Sequence, residues 1–307
     1  MPKKIIVTTG DPAGCGPYIT LKAIEELKGR DAQFFVIGDK QILSRFGFYK
    51  KSGKQVNLIA LSTPGINKIK PGYVSKVSGL ASISYIDCAL KTMEERGIKR
   101  LVTAPLSKEA VQLNLPDFKG HSEYLADYFK CKIEMMMVSP KLKTVLFTRH
   151  IPFGKVPRYI TESNLNRTFE LVFESLKNIF KIKNPKIAVA SLNPHAGRET
   201  FLGSEEKIIC KAISGFAGNF YGPYPSDSLF TETAIKKHDC IIALYHDQGM
   251  IPFKLLSMKT GVNFTPGLPI IRTSPAHGIA ADIMRAGGKP FVSTMVEAIK
   301  LALRLSI

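Results

Sequence analysis

The sequence predicts an α/β protein of two α/β/α domains with mainly parallel sheets. Short apolar runs alternate with amphipathic stretches almost throughout, the pattern of parallel strands covered by helices. At 307 residues the chain exceeds one ordinary domain. No Pro/Ser-rich linker divides it, which favours two closely packed domains with a cleft between them.

Each element follows from local pattern. Lys4–Thr9, Gln33–Gly38, Val56–Leu61 and Arg100–Ala104 read as strands. Helices are expected at Pro17–Leu27, Gly79–Arg96 and Lys108–Leu113; in the first, Ile19, Ala23, Ile24 and Leu27 recur at near-helical spacing. The alternation resumes with strands at Glu134–Val138, Lys143–Phe147, Lys186–Ala190 and Cys240–Leu244. Helices are expected at Glu162–Phe180, near Ser204–Phe216 and near Asp227–Lys237. Internal repeats and low-complexity tracts are not evident.

Composition narrows the class. A hydrophobic content of 45% with 22% charged residues is that of a globular protein with a sizeable core. No apolar run is long enough for a membrane span, and the start Met1-Pro2-Lys3-Lys4-Ile5-Ile6-Val7 reads as a first strand rather than a signal peptide. Five cysteines without a Cys-x-x-Cys arrangement fit a reducing cytoplasm. The net charge of +18 comes from scattered Lys and Arg, densest at Lys50–Lys54 and Lys236–His238, and no nucleic-acid-binding module accompanies it. Such a field suits steering of small anionic molecules; neither nucleic acid nor membrane is expected as a partner.

Three apolar runs each end by presenting a histidine. Cys240–Leu244 leads to Tyr245-His246-Asp247-Gln248-Gly249, where the glycine is expected to turn the chain. Lys186–Ala190 leads to Asn193-Pro194-His195-Ala196-Gly197, and Lys143–Phe147 to Thr148-Arg149-His150. The carboxyl edge of an open α/β sheet is where ligands bind. Three neutral imidazoles can hold zinc or a similar divalent ion and leave a position open for substrate. Taken singly, each histidine is equally well explained as a strand cap; recurrence favours a metal site.

Glycine-rich turns offer anion sites. Gly10-Asp11-Pro12-Ala13-Gly14-Cys15-Gly16-Pro17 joins the first strand to the first helix but matches neither the Rossmann nor the Walker spacing. Thr103–Lys108 and Gly120-His121-Ser122-Glu123 also sit where the chain turns into helices; Ser122 can cap one of them, and His121 can donate to an oxyanion. Lys254, Asn263 and Arg272 follow the His246 strand, and Arg supplies a planar fork for phosphate or carboxylate.

In these blocks, together with Thr103-Ala104-Pro105 and Gly267-Leu268-Pro269-Ile270-Ile271-Arg272-Thr273-Ser274, the chain resembles the 4-hydroxythreonine-4-phosphate dehydrogenase family of pyridoxal phosphate biosynthesis. The blocks occur in the family's order and span most of the chain. The resemblance implies NAD- or NADP-dependent oxidation of 4-phosphooxy-L-threonine to 2-amino-3-oxo-4-phosphooxybutanoate. That product decarboxylates to 3-amino-2-oxopropyl phosphate. It further implies a fold similar to isocitrate and isopropylmalate dehydrogenases, and a homodimer whose interdomain active site is shared between subunits.

By the same resemblance, His150, His195 and His246 hold a divalent ion (zinc, magnesium or cobalt). His121, Ser122, Lys254, Asn263 and Arg272 contact substrate, and Asp227 and Asp247 match acidic residues beside the metal; Asp247 or a metal-bound water is the candidate catalytic acceptor of the hydroxyl proton. The expected domains are residues 1–130 with 268–307, and 131–267 carrying the metal ligands and dimer contacts. The chain departs from the family pattern at Tyr18, Ser122, Arg198-Glu199 and Ala276. Two other chemistries fit the same residues: a metal-dependent aldolase or hydrolase, and an acyl-phosphate transferase, each acting on a phosphorylated metabolite.

Overall fold

The structure is a computed structural model and describes residues 2–50, 53, 55–197 and 203–307. Lys51, Ser52 and Lys54 of the first basic patch, and Arg198-Glu199, lie outside the described residues. The chain divides into two compact units, Met1–Lys130 with Leu268–Leu305, and Cys131–Gly267 with Ser306–Ile307. In chain order the strands are β1 (Lys3–Thr8), β2 (Ala32–Asp39), β3 (Val56–Leu61), β4 (Arg100–Thr103), β5 (Met136–Val138), β6 (Lys143–Leu146), β7 (Lys186–Ala190), β8 (Asn219–Tyr224), β9 (Cys240–Ala243), β10 (Val262–Phe264) and β11 (Ile271–Pro275).

In the first unit the strands lie in the order β3-β2-β1-β4-β11, with every neighbouring pair parallel. Ile5, Ile6 and Val7 are wholly buried, as strands covered on both faces require. Helix Lys76–Arg96 packs on β1 and β2, and helix Ser293–Arg304 on β4 and β11. The first of these starts before the expected Gly79 because the Ser75 hydroxyl accepts from the Ser78 amide and caps it. Gly97, in the left-handed region, ends it. The last carbonyls of the C-terminal helix are satisfied from outside: Lys3 Nζ donates to Leu303 O at 2.6 Å, and Arg100 Nε to Ala302 O at 3.1 Å.

In the second unit the order is β10-β5-β6-β9-β7-β8. The pairs β10–β5 and β5–β6 are antiparallel, whereas β6–β9, β9–β7 and β7–β8 are parallel. Helix Glu162–Glu174 buries Phe169, which stacks on Phe220 at 4.3 Å between centroids. The expected helix Asp227–Lys237 is in fact two, Ser226–Leu229 and Glu232–Lys237, because Thr231 caps the second through Ala234 N.

Gly249 does not turn the chain; it lies inside a helix, His246–Ser257, that begins at the histidine itself. A Cβ at position 249 would sit 2.7 Å from Leu146 Cδ2 and 2.9 Å from Ala243 Cβ, so the glycine is there to let the helix lie against β6 and β9. No helix among the described residues is long and apolar enough to cross a membrane.

Gly79 makes a comparable close approach, its missing Cβ falling 1.9 Å from the Ala110 carbonyl oxygen in helix Lys108–Gln112. Helix propensity alone would favour Gly79→Ala by about 1 kcal/mol, but the overlap with backbone is expected to cost about 1–3 kcal/mol or more. The variant should unfold at a lower urea concentration than the parent. An equal or higher midpoint would show that the two helices separate without cost.

Candidate functional site

The parallel run β6-β9-β7-β8 brings four chain turns to one sheet edge. In that spatial order the segments leaving the strands carry His150, His246, His195 and Asp227. The three histidine-bearing strand ends expected from sequence are thus neighbours, with an aspartate-bearing end beside them.

His150 and His246 face one another with ring centroids 6.0 Å apart. Together with Thr148, Arg149, Phe153, Tyr245 and Asp247 they line a cavity of about 300 Å³. The Thr148 hydroxyl donates to Leu244 O at 2.6 Å, which ties the His150 turn to the end of β9. Asp247 Oδ1 lies 2.7 Å from His246 Nδ1. That contact leaves His246 Nε2 for a ligand, the arrangement by which carboxylates orient metal-binding histidines.

His195 stands in a turn of its own. His195, Ala196 and Gly197 have φ of 55°, 56° and 62°, three successive left-handed residues. Buried Glu206 holds the approach to this turn: Oε1 accepts from Leu192 N at 3.1 Å and Asn193 N at 2.8 Å, and Oε2 from Asn193 Nδ2 at 2.9 Å. Asp227 is exposed on helix Ser226–Leu229. Among the described residues, no group of three or more His, Cys, Asp or Glu side chains is placed to hold a metal ion. One chain therefore pairs His150 with His246 and does not bring His195 into the same cluster.

The first unit buries a cationic group. Arg272 in β11 is 2% exposed. Its Nη2 and Nε donate to Thr103 Oγ1 at 2.7 and 3.1 Å, and its Nη1 to Ser122 Oγ at 3.2 Å. Burial pushes the guanidinium down to about 10, Glu123 opposing, so it stays charged at neutral pH. Ser122 does not cap its helix: Gly120, at φ 147°, is the N-cap of His121–Phe129, which releases the Ser122 hydroxyl for Arg272.

His121 Nε2 is buried without a hydrogen-bond partner. Burial first, then the charges of Arg272 and Lys108, hold this imidazole well below its usual pKa, so it is neutral. A guanidinium, a hydroxyl and a neutral imidazole at a helix N-terminus suit a phosphate or carboxylate. Of the other expected contacts, both in the second unit, Lys254 is exposed on helix His246–Ser257, and Asn263 in β10 has a buried Oδ1 without a partner.

Sequence reasoning missed Thr103, Lys108, Glu206 and Gln248. Lys108 and Thr103 stood in a turn already singled out, but only the fold places them beside His121 and Arg272. Nothing in the sequence marks Glu206 or Gln248 as holding the histidine turns.

The family profile described as pyridoxal phosphate biosynthetic protein PdxA matches residues 19–302. A 4-hydroxythreonine-4-phosphate dehydrogenase from Desulforapulum autotrophicum is 35% identical over 96% of this chain and 93% of its own. A protein from Oceanobacillus iheyensis, provisionally assigned as a D-threonate 4-phosphate dehydrogenase, is 37% identical over 100% of this chain and 99% of its own. Among solved structures, 4-hydroxythreonine-4-phosphate dehydrogenase from Klebsiella pneumoniae superposes with a TM-score of 0.84 at 32% identity, covering 98% of both chains.

The depressed pKa of His121 has a measurable sign. The unfolded chain takes up a proton there near pH 6.5 and the folded chain does not, so as pH falls below that value the unfolded state binds more protons and stability declines. Asp11, raised to about 6 by burial, contributes a slope of the opposite sign, common to parent and variant. His121→Gln should therefore flatten the parent's loss of stability between about pH 6.5 and pH 5, followed by denaturation midpoints. Parallel profiles would mean that His121 protonates freely in the native protein.

Proposed function

Because the chain belongs to the PdxA family of pyridoxal phosphate biosynthetic proteins, we propose that it is a nicotinamide-dependent dehydrogenase, NAD or NADP accepting hydride from the secondary alcohol of 4-phosphooxy-L-threonine. The oxidised product, 2-amino-3-oxo-4-phosphooxybutanoate, then loses carbon dioxide. The observation that carries the substrate class is the buried Arg272 guanidinium shared with the Ser122 hydroxyl, beside the partnerless Nε2 of His121. Such a group favours a phosphate over a neutral ligand, since burial strengthens each charge-assisted hydrogen bond.

His150 and His246, with Asp247 on Nδ1 of the latter, fit a divalent ion (zinc, magnesium or cobalt) by donor type and by the carboxylate that fixes the ring. When bound, such an ion lowers the pKa of the alcohol and stabilises the charge left by decarboxylation. His195 is the third proposed ligand and Asp227 an acidic neighbour. Asp247 is the proposed acceptor of the hydroxyl proton. His121, Ser122, Arg272, Lys254 and Asn263 are the proposed substrate contacts, binding and orienting the phosphorylated chain.

A homodimer with shared ligands belongs to the same reading. It is supported by Ile251 and Leu255, exposed by 60% and 81% one turn apart on the helix that begins at His246, and by Met258 at its C-cap, exposed by 71%. Free thiols at Cys15, Cys88, Cys131, Cys210 and Cys240 agree with a cytoplasmic place. D-threonate 4-phosphate is a second candidate substrate, favoured by the Oceanobacillus relative that matches the whole chain. It offers the same phosphate and a secondary alcohol, with a hydroxyl in place of the amine.

The protein supplied with a divalent ion and NAD or NADP should raise absorbance at the reduced-nicotinamide band with one of these two substrates. Cleavage of a phosphorylated compound without nicotinamide reduction would favour the aldolase or hydrolase reading instead. His150→Ala, His195→Ala and His246→Ala should each nearly abolish turnover. Mixed in pairs, at least one combination should regain about a quarter of parental activity, since half of randomly paired dimers are mixed and each has one intact site. No recovery in any pairing, with mixed dimers demonstrably present, would put all three ligands on one chain.

A further inference from the structure

Gln248 lies two residues after His246 and is 8% exposed. Its Oε1 accepts from the Leu244 amide at 2.6 Å. Its Nε2 donates to the Ser191 carbonyl oxygen at 2.7 Å and to the Ser226 hydroxyl oxygen at 2.7 Å. The orientation of the amide is fixed by its partners, because a backbone N–H only donates and a carbonyl only accepts. One buried side chain thus joins the segments leaving β9, β7 and β8, which carry His246, His195 and Asp227.

The side chain is matched to these partners. Two protons and one acceptor are needed, and a primary amide has both; glutamate would set a carboxylate against the Ser191 carbonyl and lose both donations. The His195 turn has particular need of an anchor. Its left-handed backbone at His195 and Ala196 is one that side chains rarely adopt and that persists only when the surroundings over-determine it. Ser191 continues the chain of bonds, its hydroxyl donating to Asn193 O at 2.8 Å, while Glu206 grips Leu192 and Asn193 from the other side.

We propose that Gln248 is a positioning residue that fixes the His195 turn and the Ser226–Asp227 segment relative to His246, and thereby sets the affinity of the divalent-ion site. The last clause rests on the metal reading given above; the clamp itself does not.

The test uses the full chain with Gln248→Glu, Gln248→Met and the milder Ser226→Ala. Amide hydrogen exchange is followed together with titration by cobalt(II), read from its absorption spectrum. Both Gln248 variants should speed exchange by about tenfold or more at residues 192–197 and 226–229, with β1 and β2 unchanged. Ser226→Ala should loosen only residues 226–229. Cobalt affinity should fall by about 10–100-fold in the Gln248 variants, as loss of a group supporting the ligands generally does.

Unchanged exchange at residues 192–197 in both Gln248 variants overturns the clamp. Faster exchange with parental cobalt affinity overturns the positioning role and leaves an amide of structural use only. A parent protein that binds no cobalt overturns the metal reading instead, and exchange alone then upholds or overturns the clamp.

Discussion

Parallel pairing of β9 with both β6 and β7 is the constraint on which the candidate metal chemistry depends. Leu146 pairs with Ala243, and Val189 with Ile242, so these strands run out at nearly the same height. Turning either neighbour antiparallel would send its histidine to the opposite edge. Slipping one by a residue would exchange its buried and outward faces. The uninterrupted burial of Ile241, Ile242, Ala243 and Leu244 resists both changes, because side chains packed on both faces would have to be repacked. Gly249 completes the arrangement, since only a residue without Cβ lets the helix starting at His246 settle against Leu146 and Ala243.

The Arg272 group is built on a different balance. An arginine with 2% exposure has given up most of its hydration, a cost of several kcal/mol that the hydroxyls of Thr103 and Ser122 and the charge of Glu123 offset in part. Burial lowers its pKa to about 10 for the same reason. An anion settling there would recover part of that cost. Keeping His121 neutral serves this end, because an imidazolium between Arg272 and Lys108 would add a third positive charge to a confined space.

Strand ends and their histidines were legible in the sequence because buried parallel strands are short, apolar and bounded by polar turns. The expected β3 and β7 bounds, Val56–Leu61 and Lys186–Ala190, coincide with those in the structure. Helix His246–Ser257 was not legible: Gly249 read as a turn, and tertiary packing outweighs the low helix propensity of Gly249 and of Pro252 inside the helix. Ser122 looked like a cap for its residue type, yet the cap is Gly120 and the hydroxyl turns to Arg272. Gln248 stood inside a recognised block and Glu206 in none, but neither role was legible, since their partners lie 57 residues away at Ser191 and 13 away at Asn193.

Residues that grip a phosphate cannot tell the two candidate substrates apart, for both carry one. Selectivity is a difference of affinities and must arise where the substrates differ, at the amine or hydroxyl beside the carboxylate. Asp247 is 73% exposed along its side chain and already engaged by His246 Nδ1, so its charge is partly spent and partly screened. Its pull on an ammonium is then modest, whereas a metal between His150 and His246 would accept either an amine or a hydroxyl as ligand. Chemistry at the alcohol and discrimination at its neighbour would fall to the same few side chains. The accuracy with which those side chains are held therefore bears on specificity as well as rate.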